Sequence, residues 1–173
     1  MIEEQEGIKE RRMKESKRTE SAEREGARFG CEAVAVVPAG TKPKLSCVVF
    51  FGTGERKTCY CSAERYMDFQ ASLTGNDNRA CRRMFRGRRG TGLLFNDGRA
   101  YLQVKLREEA PSLGYILLPA LEEISSTKDG KCRLLAAGMT FDTCWTRETF
   151  IRHLLMVLDT FPGSVPCRVS LIS

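Results

Sequence analysis

At 173 residues the chain is long enough to bury a core without disulfide or metal staples. Apolar residues at 42% and charged residues at 29% exclude a disordered or collagen-like polymer, and no apolar run approaches the ~18–20 residues that cross a bilayer. The formal charge of +6 is unevenly placed: residues 1–27 hold seven basic and eight acidic side chains, which leaves the rest of the chain at +7.

Residues 1–27 contain only Ile2, Ile8 and Met13 as sizeable apolar side chains. No face there can be buried, so a charged flexible tail is predicted. It has no apolar core of a secretory signal and is too acidic for a mitochondrial targeting segment. An intracellular protein of the nucleus or cytoplasm is therefore expected, with the mitochondrion left open, and its eight cysteines are read as reduced. Most of them sit in apolar runs, where a free thiol packs as a small hydrophobe. The chain lacks a CxxC pair, and Cys59-Tyr60-Cys61 places two thiols on the same face of a strand. With His153 the sole imidazole, no metal or other cofactor is expected.

From Phe29 onward short β-prone runs follow one another. Strands are predicted at 31–37, closed by Pro38-Ala39-Gly40, at 45–51, closed by Gly52-Thr53-Gly54, and at 58–61. Ser62 then caps a helix with Glu64 in its first turn and Tyr66, Met67, Gln70 and Leu73 on one face. Thr74-Gly75-Asn76-Asp77 ends it. A second series follows: 93–95, the Asn96-Asp97-Gly98 turn, then strands at 99–107, 113–121, 131–137 and 139–145. Thr146 caps a final helix striped by Phe150, Ile151, Leu154, Leu155, Leu158 and Phe161, which Pro162-Gly163 stops before an extended segment at 165–172.

Laying Ser62 on Thr146, an offset of 84 residues, superposes cap, early Glu and paired apolar anchors. The fold class predicted is α+β: antiparallel β-sheets each followed by a helix. Two such units, at about 29–75 and 90–161, fill one domain over 28–173, after the charged tail.

The strongest local signal is RACRRMFRGRRGTG. Its Arg79, Arg82, Arg83, Arg86, Arg88 and Arg89 come with no acid, and Gly87 and Gly90 favour a flexible loop. Guanidinium forks suit phosphate oxygens and stack on bases. The strand after this loop alternates. Ala100, Leu102, Val104 and Leu106 are predicted to face the core, while Arg99, Tyr101, Gln103, Lys105 and Arg107 are predicted to face outward. A ring and an amide among cations is the surface on which single-stranded nucleic acid lies. Neither the adjacent Glu pairs at 108–109 and 122–123 nor His153 forms a shaped catalytic group, and a non-enzymatic protein is expected.

The stretch GTGLLFNDGRAYLQVKL, then LGYILLPALEEI, then KCRLLAAGMTFDTCWTRETFIRHLLMVL, resembles a repeat of the PUR-alpha and Whirly single-stranded nucleic-acid-binding proteins. The resemblance implies that a single strand of RNA or DNA crosses the sheet and its loops, with Tyr101, Gln103 and Lys105 on the matching strand. It also implies dimeric or tetrameric assembly. The lysine-glycine-lysine strand of Whirly proteins is absent, and the first unit is one strand short. A pleckstrin-homology-like adaptor, binding a protein or an acidic phosphoinositide through the same arginines, fits the run of strands as well. A helix near 62–73 belongs to the first reading, and a single closing helix to the second.

Overall fold

The computed structural model describes Met13 and residues 29–75, 92–95, 97–160 and 169–172. The predicted charged tail, apart from Met13, and the segment 76–91 lie outside the described residues. The first apolar runs fold as a meander of β1 (Ala33–Thr41), β2 (Lys44–Phe51) and β3 (Arg56–Cys59). Ser62 then starts α1 (Ala63–Leu73). A second meander follows, of β4 (Gly92–Leu94), β5 (Ala100–Lys105) and β6 (Leu113–Leu117). The two meanders join into one six-stranded sheet of order β3-β2-β1-β6-β5-β4. The predicted α+β class of antiparallel-rich sheets and two helices is what forms, and this sheet draws strands from both sides of α1.

Glycine permits the join. At Gly114 of β6 an added Cβ would stand 2.4 Å from the Val36 carbonyl oxygen of β1 and 2.6 Å from Leu106 Cδ1. No other residue lets the two meanders approach this closely.

The expected single strand at 113–121 is instead two. A 3₁₀ turn over Leu118–Ala120, with Pro119 at its start, interrupts it. Proline has no N–H to give a ladder, so the chain leaves the first sheet there. It enters a second sheet as β7 (Leu121–Ser126), followed by β8 (Lys131–Ala136) and β9 (Met139–Thr146). After α2 (Arg147–Thr160), β10 (Ser170–Leu171) adds in parallel to β7, giving the order β10-β7-β8-β9.

Both helices start with the same bond. The Arg65 N–H donates to Ser62 Oγ at 3.1 Å and the Thr149 N–H to Thr146 Oγ1 at 3.2 Å, so each cap satisfies an orphan donor three residues on. The two buried faces are narrower than expected. On α1 they are Ala63, Met67 and Ala71, while Leu73 is 66% exposed. On α2 they are Phe150, Leu154 and Val157, while Leu155 is 59% exposed. Two alanines on α1 let its axis lie close to β1, β2 and β6, leaving less room for a broad apolar stripe. α2 packs across β5, β7, β8 and β9 and so touches both sheets.

The six-stranded sheet is covered on both faces. Leu102, Ile116, Ala35 and Phe50 are opposed across β5, β6, β1 and β2, and Phe50 meets Phe141 of β9 edge-on at 5.2 Å. The adjacent row is Gln103, Tyr115, Val36 and Val49, on the face that carries α1. Tyr101 shares that face and is 1% exposed. Its hydroxyl donates to the Ala33 carbonyl at 2.8 Å, and its ring lies 5.3 Å from that of Phe95. Replacing Tyr101 by Phe removes this buried bond and leaves the Ala33 oxygen without that donor. The expected loss is about 1–2 kcal/mol by equilibrium denaturation, with the fold unchanged by circular dichroism.

Among the six described cysteines, all free, Cys47 and Cys132 are buried, Cys59, Cys61 and Cys144 are half-buried, and Cys31 is exposed. The expectation of buried thiols holds for two. Cys31 precedes β1 in a turn, so its position in an apolar run does not place it in the core. Cys81 and Cys167 lie outside the described residues.

Candidate nucleic-acid interface

Arg79, Arg82, Arg83, Arg86, Arg88 and Arg89 lie outside the described residues. The other five predicted contacts are on or beside β5, and the outward face expected of them is not an open one. Tyr101 is the clearest correction. β5 is an interior strand of a sheet covered on both sides, so strict alternation leaves no solvent face at that position, and its ring is closed to a base. Burial accordingly pushes the Tyr101 hydroxyl well above the usual phenol range.

Its neighbours are engaged at home. Arg99 Nε pairs with Asp97 at 2.8 Å, and the guanidinium lies 5.1 Å from the Phe95 ring centre. Gln103 Nε2 donates to the Tyr115 hydroxyl at 3.3 Å. Lys105 Nζ pairs with Glu108 at 3.2 Å. Arg107 donates to the Pro111 carbonyl at 2.8 Å and also to the Gly40 carbonyl, tying the β5–β6 connection to the β1–β2 turn. These residues organise the end of the sheet. The exposed pairs are weak and exchangeable, but Tyr101 and Arg107 are held structurally.

A different corner presents rings to solvent. Tyr60, between β3 and α1, is 91% exposed, and Phe69 on the outer face of α1 is 59% exposed. Arg65 lies one turn before Phe69 on the same exposed face, and Arg56 and Lys57 are exposed on the edge strand β3. Charge at this corner is balanced, since Glu55, Glu64 and Asp68 accompany the three cations. The corner therefore supplies stacking surface more than net charge. Tyr60 was legible in the sequence: if Cys59 and Cys61 face inward, the residue between them faces out. Phe69 could be found only by noticing that it falls off the stripe of Tyr66, Met67 and Gln70.

Elsewhere, a cleft of about 490 Å³ opens between the β7–β8 turn and the first turn of α2, lined by Ser126, Gly130, Thr146, Arg147, Glu148 and Ile151. The His153 ring stacks on Trp145, with centroids 4.2 Å apart, and its buried Nδ1 has no hydrogen-bond partner. Burial, then the Arg152 charge, lowers its pKa. Among the described residues no group of three or more His, Cys, Asp or Glu side chains has a metal-holding arrangement, and no helix is long and apolar enough to cross a membrane.

No protein-family model, curated protein or solved structure matches the chain.

Proposed function

We propose that this chain is a non-enzymatic, intracellular protein that binds single-stranded RNA or DNA, through the arginine segment 79–89 and the aromatic corner between β3 and α1. The observation that carries the proposal is the pair of exposed rings, Tyr60 and Phe69, on the elements that lead directly into six arginines. An exposed aromatic ring offers a flat face on which a partner can stack. Every base offers a π-face, and every linkage offers a phosphate, so rings beside arginines suit a single strand without demanding a sequence. The β5 strand has a supporting role here: it fixes the sheet on which the corner is mounted. The PUR-alpha and Whirly reading places a helix between two sheets, whereas α1 lies between two meanders of a single sheet, so the proposal rests on the rings and the arginine segment and not on that architecture.

A second reading draws on α2. A closing helix laid over strands of both sheets is also the plan of a pleckstrin-homology-like adaptor, in which the same arginines would meet a phosphoinositide headgroup or an acidic protein. A salt titration of binding to single-stranded RNA and DNA, to duplex, and to phosphoinositide vesicles separates the two. Single strands bound better than duplex or vesicles support the first reading; vesicles bound with no oligonucleotide affinity replace it with the second. Within the first, Tyr60→Ala weakens oligonucleotide binding by about 1–3 kcal/mol, read by fluorescence anisotropy. The loss is the same at low and high salt, because a ring contributes no counterion release.

A further inference from the structure

Three thiols converge beneath the first turn of α1. Cys47 of β2 is directly opposite Cys59 of β3 in the antiparallel ladder. Residues so opposed have Cα atoms about 4.5–5.5 Å apart, inside the ~4.4–6.8 Å range that a disulfide bridges. Cys61, two residues beyond, comes back to the same place, and the Cys47 thiol interacts with both Cys59 and Cys61. The Tyr66 hydroxyl of α1 is near enough for all three to act on it electrostatically. The other described cysteines have different surroundings: Cys132 faces Arg147 and Thr143, Cys144 faces Glu108, and Cys31 stands exposed before β1.

We propose that Cys47, Cys59 and Cys61 form a thiol–disulfide exchange site that reacts with a low-molecular-weight disulfide such as oxidised glutathione, and that it ends as one intramolecular disulfide anchored on Cys47. The site rests on this packing alone and is independent of the nucleic-acid reading. Exposure sets the order of events. Cys47 is buried, while Cys59 and Cys61 are half-buried, so the outer pair meets the reagent and the inner thiol resolves the adduct. Burial, then the neighbouring Cys61 and Cys59, pushes the Cys47 thiol up to about 12, which keeps it protonated and disfavours it as the first attacker.

In the first step an outer thiolate attacks one sulfur of glutathione disulfide. That S–S bond breaks, one glutathione leaves as thiolate, and a mixed disulfide remains on the protein. In the second, Cys47 gives up its proton and its sulfur attacks the protein sulfur of the mixed disulfide, expelling the second glutathione. Two protein thiols are oxidised to one disulfide, and one glutathione disulfide is reduced to two glutathione thiols. The third cysteine stays a thiol, and its exchange with the bond just formed is by attack at the Cys47 sulfur, which keeps the disulfide on Cys47.

The test is oxidation of the full, natively folded chain with oxidised glutathione, followed by acid quench, alkylation and non-reducing tryptic mapping. Cleavage after Lys44, Arg56, Lys57 and Arg65 leaves Cys47 on peptide 45–56 and both other thiols on peptide 58–65. The expected product is 45–56 linked to 58–65 with one alkylated thiol remaining, and a loss of two free thiols from the trio. Peptide 58–65 closed on itself with Cys47 alkylated would overturn the proposal. So would Cys47 linked to any peptide other than 58–65, persistent glutathione adducts without a link, or three alkylated thiols.

Discussion

Phe150→Ala lowers the unfolding free energy by about 3–5 kcal/mol, read as a shift in the denaturant midpoint at unchanged slope. Phe150 is fully buried and stands in the first turn of α2, where the helix reaches both sheets at once. Leu154 and Val157 continue the contact one and two turns on. The aromatic ring is fully enclosed just after the chain passes from β9 into the helix. Truncation leaves a cavity that neither sheet can close, because each is already fixed by its own ladder. Leu155→Ala on the same helix is the internal comparison. That side chain is 59% exposed, and its removal costs within about 0.5 kcal/mol. A hydrophobic stripe read from sequence alone would rank the two alike.

The same limit explains what was legible in this sequence. Alternation correctly sent Ala100, Leu102 and Val104 to the core, and cap chemistry located the starts of both helices at Ser62 and Thr146. These are local rules acting on local structure. Alternation says which residues share a face, but whether the second face meets water depends on what the rest of the chain lays over it. Tyr101 sits on a polar-looking face that α1 and the neighbouring Phe95 close, so a residue expected to stack on bases is instead a buried donor to Ala33. β7 was missed because Leu113 through Leu121 reads as one continuous apolar run, and only the bend at Pro119 divides it between two sheets. Tyr60 and Phe69 were overlooked for the opposite reason. Hydrophobic residues are expected inside, and the local signals that place these two outside, alternation with Cys59 and Cys61 for Tyr60 and a position off the helix stripe for Phe69, run against that expectation.

Replacing Arg82, Arg83, Arg86 and Arg88 together by Ala flattens the salt dependence of single-strand binding and lowers affinity near physiological salt by roughly two orders of magnitude. The size follows from counterion release. Each phosphate neutralised on a single strand contributes about 0.7 to the slope of log K against log salt, so four contacts carry a slope of nearly 3. Between about 1 M and 0.15 M salt that amounts to roughly 200-fold. The β3–α1 corner is balanced in charge, so within the proposed interface the arginine segment carries the slope. The two classes of variant therefore leave different signatures in one titration. Tyr60→Ala moves the line down without tilting it, whereas the arginine variant tilts it and the two proteins converge at high salt. An arginine variant whose line keeps its slope and height would remove residues 79–89 from the interface. If the same variant loses affinity for phosphoinositide vesicles instead, the guanidinium groups serve an acidic lipid, and the exposed rings need another partner.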